Sequence, residues 1–83
     1  MEKKVRDTQS FNLSQMPAGS ISKVVAVRGG GRIAQRLMEM GVVPGVSVKV
    51  IKSAPFGDPI EIRLLGYSLA IRRNEASAIE VEG

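Results

Sequence analysis

The sequence VVAVRGGGRIAQRLMEMG, residues 24–41, decides between two folds. An apolar run leads into consecutive glycines and then into a segment with helical spacing, the order of elements that begins a dinucleotide-binding fold. Gly29, Gly31 and Ala34 even fit the spacing G-x-G-x-x-G/A. That fold also needs an acidic residue about 20 positions further on, where this chain has Lys49. We therefore predict that the glycines turn the chain and hold no nucleotide.

The segment after the glycines, residues 32–40, has the spacing of a short amphipathic helix. One apolar stripe is formed by residues three and four positions apart, which are Ile33, Leu37 and Met40. On the opposite side, Arg36 and Glu39 are close enough along the helix to pair. Gly41 stands where a left-handed cap ends a helix, so we predict that the helix stops there.

Alternation of apolar and polar residues predicts five short strands. They cover residues 21–28, 46–52, 60–65, 68–72 and 78–81, and residues 72–77 are interpreted as a polar turn. Closing such strands into a barrel removes exposed strand edges. We therefore predict an all-β fold with one short helix: a small, five-stranded, bent β-barrel over residues 11–83, with the helix inserted after the first strand. Residues 1–10 are predicted to form a flexible N-terminal tail.

Composition excludes several classes of function. The 83 residues contain no cysteine and no histidine, so thiolate and imidazole chemistry are absent and we predict no catalysis, no metal site and no cofactor. The net charge of +4 is compatible with an acidic partner or nucleic acid, but the charges are dispersed and the two phenylalanines and one tyrosine offer few rings for base stacking. We therefore predict a solvated surface with a mild positive bias and expect no nucleic acid as partner. The polar N-terminus has no apolar run after it, which predicts a cytoplasmic protein.

Three motifs, in this order, carry a family resemblance. They are RLMEMGVVPG at residues 36–45, APFGDP at residues 54–59 and LAIRRNEA at residues 69–76. The chain resembles the FeoA family, small cytosolic components of bacterial ferrous-iron uptake systems, over about residues 11–82. The resemblance implies an SH3-like barrel, similar to the C-terminal domain of iron-dependent repressors. It also implies an accessory role beside FeoB, a membrane protein with a cytosolic GTP-binding domain, and a family attribution of transition-metal binding.

Six residues are candidates for contact with a partner: Arg32, Arg36, Phe56, Asp58, Arg72 and Arg73. A cation gains little from the start of a helix, so Arg32 is available to a partner's carboxylate or phosphate. The ring of Phe56 either covers the mouth of the barrel or serves as an exposed anchor. Asp58 either organises the turn before its proline or faces the partner. An arginine acting on the GTP of FeoB is an alternative role for these cations.

The leading hypothesis is a non-enzymatic accessory or regulatory protein that binds the cytosolic side of the FeoB GTPase transporter, as a monomer or weak homodimer. One alternative is a nucleic-acid-binding small barrel, whose binding falls steeply with added salt. The other is a metal-sensing module akin to the C-terminal domain of iron-dependent repressors, whose stability rises with bound metal.

Overall fold

A computed structural model describes residues 10–82 of the protein. The six strands are β1 (Ser10–Asn12), β2 (Ile21–Val27), β3 (Ser47–Ser53), β4 (Ile60–Leu64), β5 (Tyr67–Ile71) and β6 (Ile79–Glu82). The two helices are α1 (Gly31–Glu39) and α2 (Arg73–Ser77), and a 3₁₀ turn (Leu13–Gln15) follows β1. In this part of the chain, no helix is long and apolar enough to cross a membrane.

The strands form one antiparallel sheet rather than the closed barrel that the sequence predicts. Their order is β1-β6-β2-β3-β4-β5, so β1 and β5 are the two edges and do not pair with each other. A sixth strand joins the five predicted ones because residues 10–12 pair with β6. The remaining prediction, an all-β fold with a short helix after the predicted strand 21–28, is confirmed, although β1 makes that strand the second of the sheet. The tail predicted for residues 1–10 lies outside the described residues except for Ser10, and stays a prediction.

Two register shifts help to bend the sheet around its core. One falls between Val24 and Ala26 in β2 and the other between Val50 and Lys52 in β3. The inward face then encloses a core to which every strand from β2 to β6 contributes. The buried apolar residues are Leu13, Val24, Leu37, Val42, Val48, Val50, Ile60, Ile62, Leu64, Ile71, Ala76, Ile79 and Val81. In β4 the apolar residues whose alternation predicts the strand, Ile60, Ile62 and Leu64, are all buried.

The glycines turn the chain between β2 and α1. Gly29 has a φ of +92°, and a Cβ there would lie 3.2 Å from the Cβ of Ala78. This position therefore requires glycine for its backbone conformation and for the close approach of Ala78, which lies between α2 and β6. Every strand pair is antiparallel, so the βαβ unit of a dinucleotide-binding fold is absent from residues 10–82. At the other end of α1, Gly41 has the predicted positive φ, +98°.

Two local predictions are wrong. Residues 73–77 form the helix α2 and not a polar turn, because the carboxylate of Glu75 accepts a hydrogen bond from the N–H of Arg72 and closes the first turn. Arg36 does not pair with Glu39; it forms an ion pair with Glu75 instead. Glu39 accepts a hydrogen bond from Gln35, one turn earlier on α1.

Candidate functional site

A cleft lies where α1, the end of β5 and α2 meet the loop before β4. Its volume is about 420 Å³. The residues that line it, called the arginine cleft below, are Arg36, Asp58, Pro59, Ala70, Ile71, Arg72 and Glu75. Three of the six candidate residues, Arg36, Asp58 and Arg72, thus share one cavity although they lie far apart in the sequence.

Glu75 forms the floor of the arginine cleft. Its side chain is 7% exposed, and its Oε1 accepts a hydrogen bond of 2.8 Å from the backbone N–H of Arg72. Its Oε2 accepts one of 3.2 Å from the guanidinium of Arg36. A buried carboxylate needs such partners because it has lost its water. The two bonds tie α1 to the start of α2 and so fix the width of the cleft on that side.

Asp58 and Arg73 hold the β3–β4 loop against α2. Asp58 Oδ1 accepts a hydrogen bond of 3.1 Å from the backbone N–H of Arg73, the first residue of the helix. The guanidinium of Arg73 donates to the carbonyl oxygen of Gly57, at 3.1 Å, and to that of Ser14, at 3.5 Å. Both side chains therefore stabilise the fold, since they form hydrogen bonds with backbone groups that the turn and the start of the helix leave without a backbone partner.

Arg72 and Arg32 differ from the other candidate arginines because their guanidinium groups have no ion-pair or hydrogen-bond partner within residues 10–82. Arg72 lines the cleft, and Arg32 lies one helical turn before Arg36 on α1. Arg36 is itself 64% exposed, so part of its planar group of N–H donors still faces solvent. Arg72 and the exposed part of Arg36 thus form a rim of the cleft with unused donors for an acidic group, and Arg32 adds another guanidinium group one helical turn away on α1.

Phe56 stands at the outer end of the same loop and is 98% exposed. Its ring therefore does not cover the mouth of the sheet, which was one of the two predicted arrangements. Two residues further along, Asp58 lines the cleft. An exposed ring beside a cleft of this kind has the geometry of an interface anchor, because aromatic side chains bury a large area for little lost conformational entropy.

Sequence reasoning missed Glu75 as a member of the site, although its spacing from Arg72 offered a signal. A glutamate three residues after the residue that precedes a helix completes half of a capping box. Arginine at the first position hid the pattern, since the box is recognised by serine or threonine there. Pro59 and Ala70 carry no chemical signal at all and belong to the cleft only through the fold.

The arrangement fits recognition of an anionic, extended ligand. Cationic side chains border the cleft, while its two carboxylates are already bonded to groups of the protein. In residues 10–82, no three carboxylates lie close enough together to hold a metal ion. What the cleft offers a ligand is therefore guanidinium donors and the apolar surface of Pro59 and Ala70.

The sequence of this chain is similar to known proteins of ferrous-iron transport. The model of the FeoA domain family matches residues 11–83. A curated relative from Porphyromonas gingivalis, an Fe(2+) transport protein A/Fe(2+) transporter FeoB fusion protein, is 39% identical over 72 residues. Those residues are 87% of this chain, but the chain spans only 8% of the length of the fusion protein.

Solved structures agree with the family match. A FeoA-like protein from Clostridium acetobutylicum is 37% identical, with a TM-score of 0.84 over 90% of this chain and 87% of its own. FeoA from Stenotrophomonas maltophilia, described as an SH3 domain protein and solved with zinc, is 29% identical, with a TM-score of 0.76 over 86% and 88%. The fold is thus SH3-like, as the resemblance implied. Two solved structures described as a manganese-dependent transcriptional repressor, at 14% and 16% identity, share the fold alone.

Proposed function

Since this chain belongs to the FeoA family, small accessory domains of ferrous-iron transport, we propose that it is a non-enzymatic regulatory protein of bacterial Fe²⁺ uptake. It acts in the cytoplasm by binding the cytosolic side of a FeoB-type transporter, and the arginine cleft with Phe56 is the surface that makes the contact.

The observation that carries the proposal is the fusion of a homologous domain to FeoB in Porphyromonas gingivalis. A covalent link makes an association intramolecular and raises the effective concentration of each partner. Fusion is therefore useful where two proteins act together, and a domain of this family that is not fused to FeoB needs a surface with enough affinity to replace the link.

The arginine cleft supplies such a surface. Phe56 brings an exposed ring, and Arg72 and Arg32 bring guanidinium groups that the described part of the chain leaves unpaired. Aromatic residues and arginine dominate the energetics of protein interfaces. The cations favour association with an acidic surface on the transporter and increase the rate of encounter.

A titration tests the proposal directly. The protein is titrated into the purified cytosolic GTP-binding domain of the FeoB-type transporter from the same organism, with GDP and then with a non-hydrolysable GTP analogue, at two salt concentrations. We expect saturable binding that survives moderate salt, and any difference between the nucleotides indicates coupling to the GTPase cycle. Affinity for a DNA or RNA duplex that drops by roughly a thousandfold or more between about 50 and 200 mM salt, without affinity for the transporter, favours the nucleic-acid alternative.

Phe56→Ala shows whether the contact uses the proposed surface. We expect this change to weaken binding by roughly 30-fold, the effect of an interface hot spot of about 2 kcal/mol. Ile21→Ala is the matched control, because Ile21 is also largely exposed but lies on β2, three strands from β5 in the sheet. Equal affinities of the two variants contradict the assignment of the cleft.

A further inference from the structure

Strand β5 is an edge of the sheet that residues 10–82 form, and it lies beside the arginine cleft. The β4–β5 hairpin closes through Leu65 and Gly66, whose φ angles are +51° and +85°, and the flanking residues Leu64 and Tyr67 are partners. In a two-residue hairpin of this type, the flanking pair exchanges both hydrogen bonds, and every second pair along the ladder does the same. The N–H and C=O groups of Ser68 and Ala70 therefore point away from β4.

These four backbone groups are free to accept a further strand. Ser68 and Ala70 are both exposed. Neither residue takes part in a backbone hydrogen bond outside the β4–β5 pair in residues 10–82. The edge is five residues long and interrupted by neither proline nor glycine, so it keeps the regular spacing that strand addition needs.

Two cavities meet at this edge. Ala70 and Pro59 line both the arginine cleft and a second cavity of about 330 Å³. The second cavity continues over Ala54 and Pro55 toward the base of the loop that carries Phe56. A chain lying along β5 thus meets a cationic cavity near the end of the strand and a more apolar one across Ala70.

The charges around β5 decide what kind of chain fits. Arg63 is the cross-strand partner of Ser68, Arg72 directly follows the strand, and Arg36 faces it from α1. The nearby Glu61, opposite Ala70, is itself the cross-strand partner of Lys52. A second copy of this protein would bring the same arginines together, which costs free energy in a sheet. An acidic segment gains from them.

We propose that β5 binds an extended, acidic segment of the transporter as an added strand. The segment hydrogen bonds with the backbone of Ser68 and Ala70, and one of its carboxylates lies between the guanidinium groups of Arg36 and Arg72. This inference rests on the proposed function, because the segment belongs to the FeoB-type partner. It adds a mode of binding that side-chain contact through Phe56 does not require.

Amide hydrogen exchange, followed residue by residue with NMR, tests the added strand. Exchange is measured for the free protein and for its complex with the purified cytosolic domain of the transporter at saturating concentration. We expect the amides of Ser68 and Ala70 to exchange at least roughly tenfold more slowly in the complex, as amides do when they enter a strand ladder. The amide of Leu69, which already bonds to β4, serves as an internal reference. Binding with unchanged exchange at Ser68 and Ala70 overturns strand addition and leaves the proposed function in place.

Ala70→Pro gives an independent test, because proline removes the outward N–H while edge strands tolerate it. Ala70→Thr is the matched control, since it enlarges the side chain and keeps the amide. We expect Ala70→Pro to bind at least roughly tenfold more weakly than Ala70→Thr, with both variants folded by circular dichroism. Equal affinities contradict the inference. If the unaltered protein itself does not bind the cytosolic domain of the transporter, both the proposed function and this inference are contradicted.

Discussion

The floor and the rim of the arginine cleft contain similar residues that do different work. On the floor, Glu75 is bonded to Arg36 of α1 and to the N–H of Arg72, and Asp58 and Arg73 secure the adjoining loop to α2. On the rim, Arg72 has no side-chain partner in residues 10–82, and Phe56 is almost fully exposed. Residue type therefore does not separate the structural group from the binding group. The bonds that each side chain already makes separate them, and mutations divide accordingly.

The largest effect is expected at Glu75 on the floor. Glu75→Ala removes the acceptor of two hydrogen bonds and frees α1 from α2, and we expect the free energy of unfolding to fall by about 2 kcal/mol, a value kept low because Arg36 is exposed. Urea denaturation measures the change. Glu39→Ala is the control, because this exposed glutamate makes only one weak bond, of 3.4 Å, to Gln35. If both variants lose the same free energy of unfolding, the claim that Glu75 on the floor stabilises the fold more than a surface glutamate is contradicted.

A smaller loss is expected at Asp58. Asp58→Ala removes the acceptor for the first N–H of α2, and loss of such a cap costs about 1 kcal/mol. Asp58→Asn keeps an oxygen in the same place, so thermal unfolding is expected to show it between the unaltered protein and the alanine variant. If asparagine is as harmful as alanine, the negative charge beside the arginines matters more than the hydrogen bond.

The smallest effects on stability are expected at the neighbouring residues Arg72 and Arg73, which belong to different groups. Arg73→Ala loses hydrogen bonds to two carbonyl oxygens and is expected to lower stability by roughly 0.5–1 kcal/mol. Arg72→Ala is expected to change stability by less than about 0.5 kcal/mol, because its guanidinium group has no partner in the described chain. Parallel urea titrations measure both. If Arg72→Ala loses more stability than Arg73→Ala, our assignment of Arg73 to the structural group and of Arg72 to the binding group is wrong.

Much of the fold could be predicted because alternation and helical spacing are local signals. The inward residues of β4, the left-handed Gly41 and the turn at Gly29 all followed from neighbouring sequence. Strand β2 shows the limit, since the hydroxyl group of Ser22 is buried with no hydrogen-bond partner in residues 10–82, while Ile21 is exposed. Pairing of β2 with β3, which sets Ser22 opposite Val48, overrides the hydrophobicity of the individual residues there.

Closure of the sheet could not be predicted from local patterns. The strand β1 is only three residues long, and it pairs with β6 rather than with β5. Instead of a strand pair, α2 closes this end of the molecule by packing on the 3₁₀ turn, where Ser77 donates a hydrogen bond of 3.4 Å to Ser14. The position of β5 at the edge of this sheet thus follows from the order of all six strands and not from the sequence of β5 itself.

The residue types at the site could be predicted from the sequence, but the hydrogen bonds and ion pairs between them could not. Arginine and phenylalanine signal interfaces wherever they stand outside a core pattern. The bonds that set their roles span long stretches of chain, as between Arg36 and Glu75, 39 positions apart, or between Asp58 and Arg73, 15 apart. No spacing rule reaches over such distances, so only the structure separates residues that hold the cleft from residues that are left for a partner.

Charge reversal on the rim tests the central claim most directly. The affinity of the purified cytosolic domain of the FeoB-type transporter is measured by calorimetry for Arg72→Glu and for Lys23→Glu, which change the net charge equally. Lys23 is exposed on β2, with β3 and β4 between it and β5. The account predicts that Arg72→Glu weakens binding by at least roughly 30-fold, while Lys23→Glu changes it by no more than about threefold. Equal losses in both variants, or no loss at Arg72, contradict a binding site at the arginine cleft.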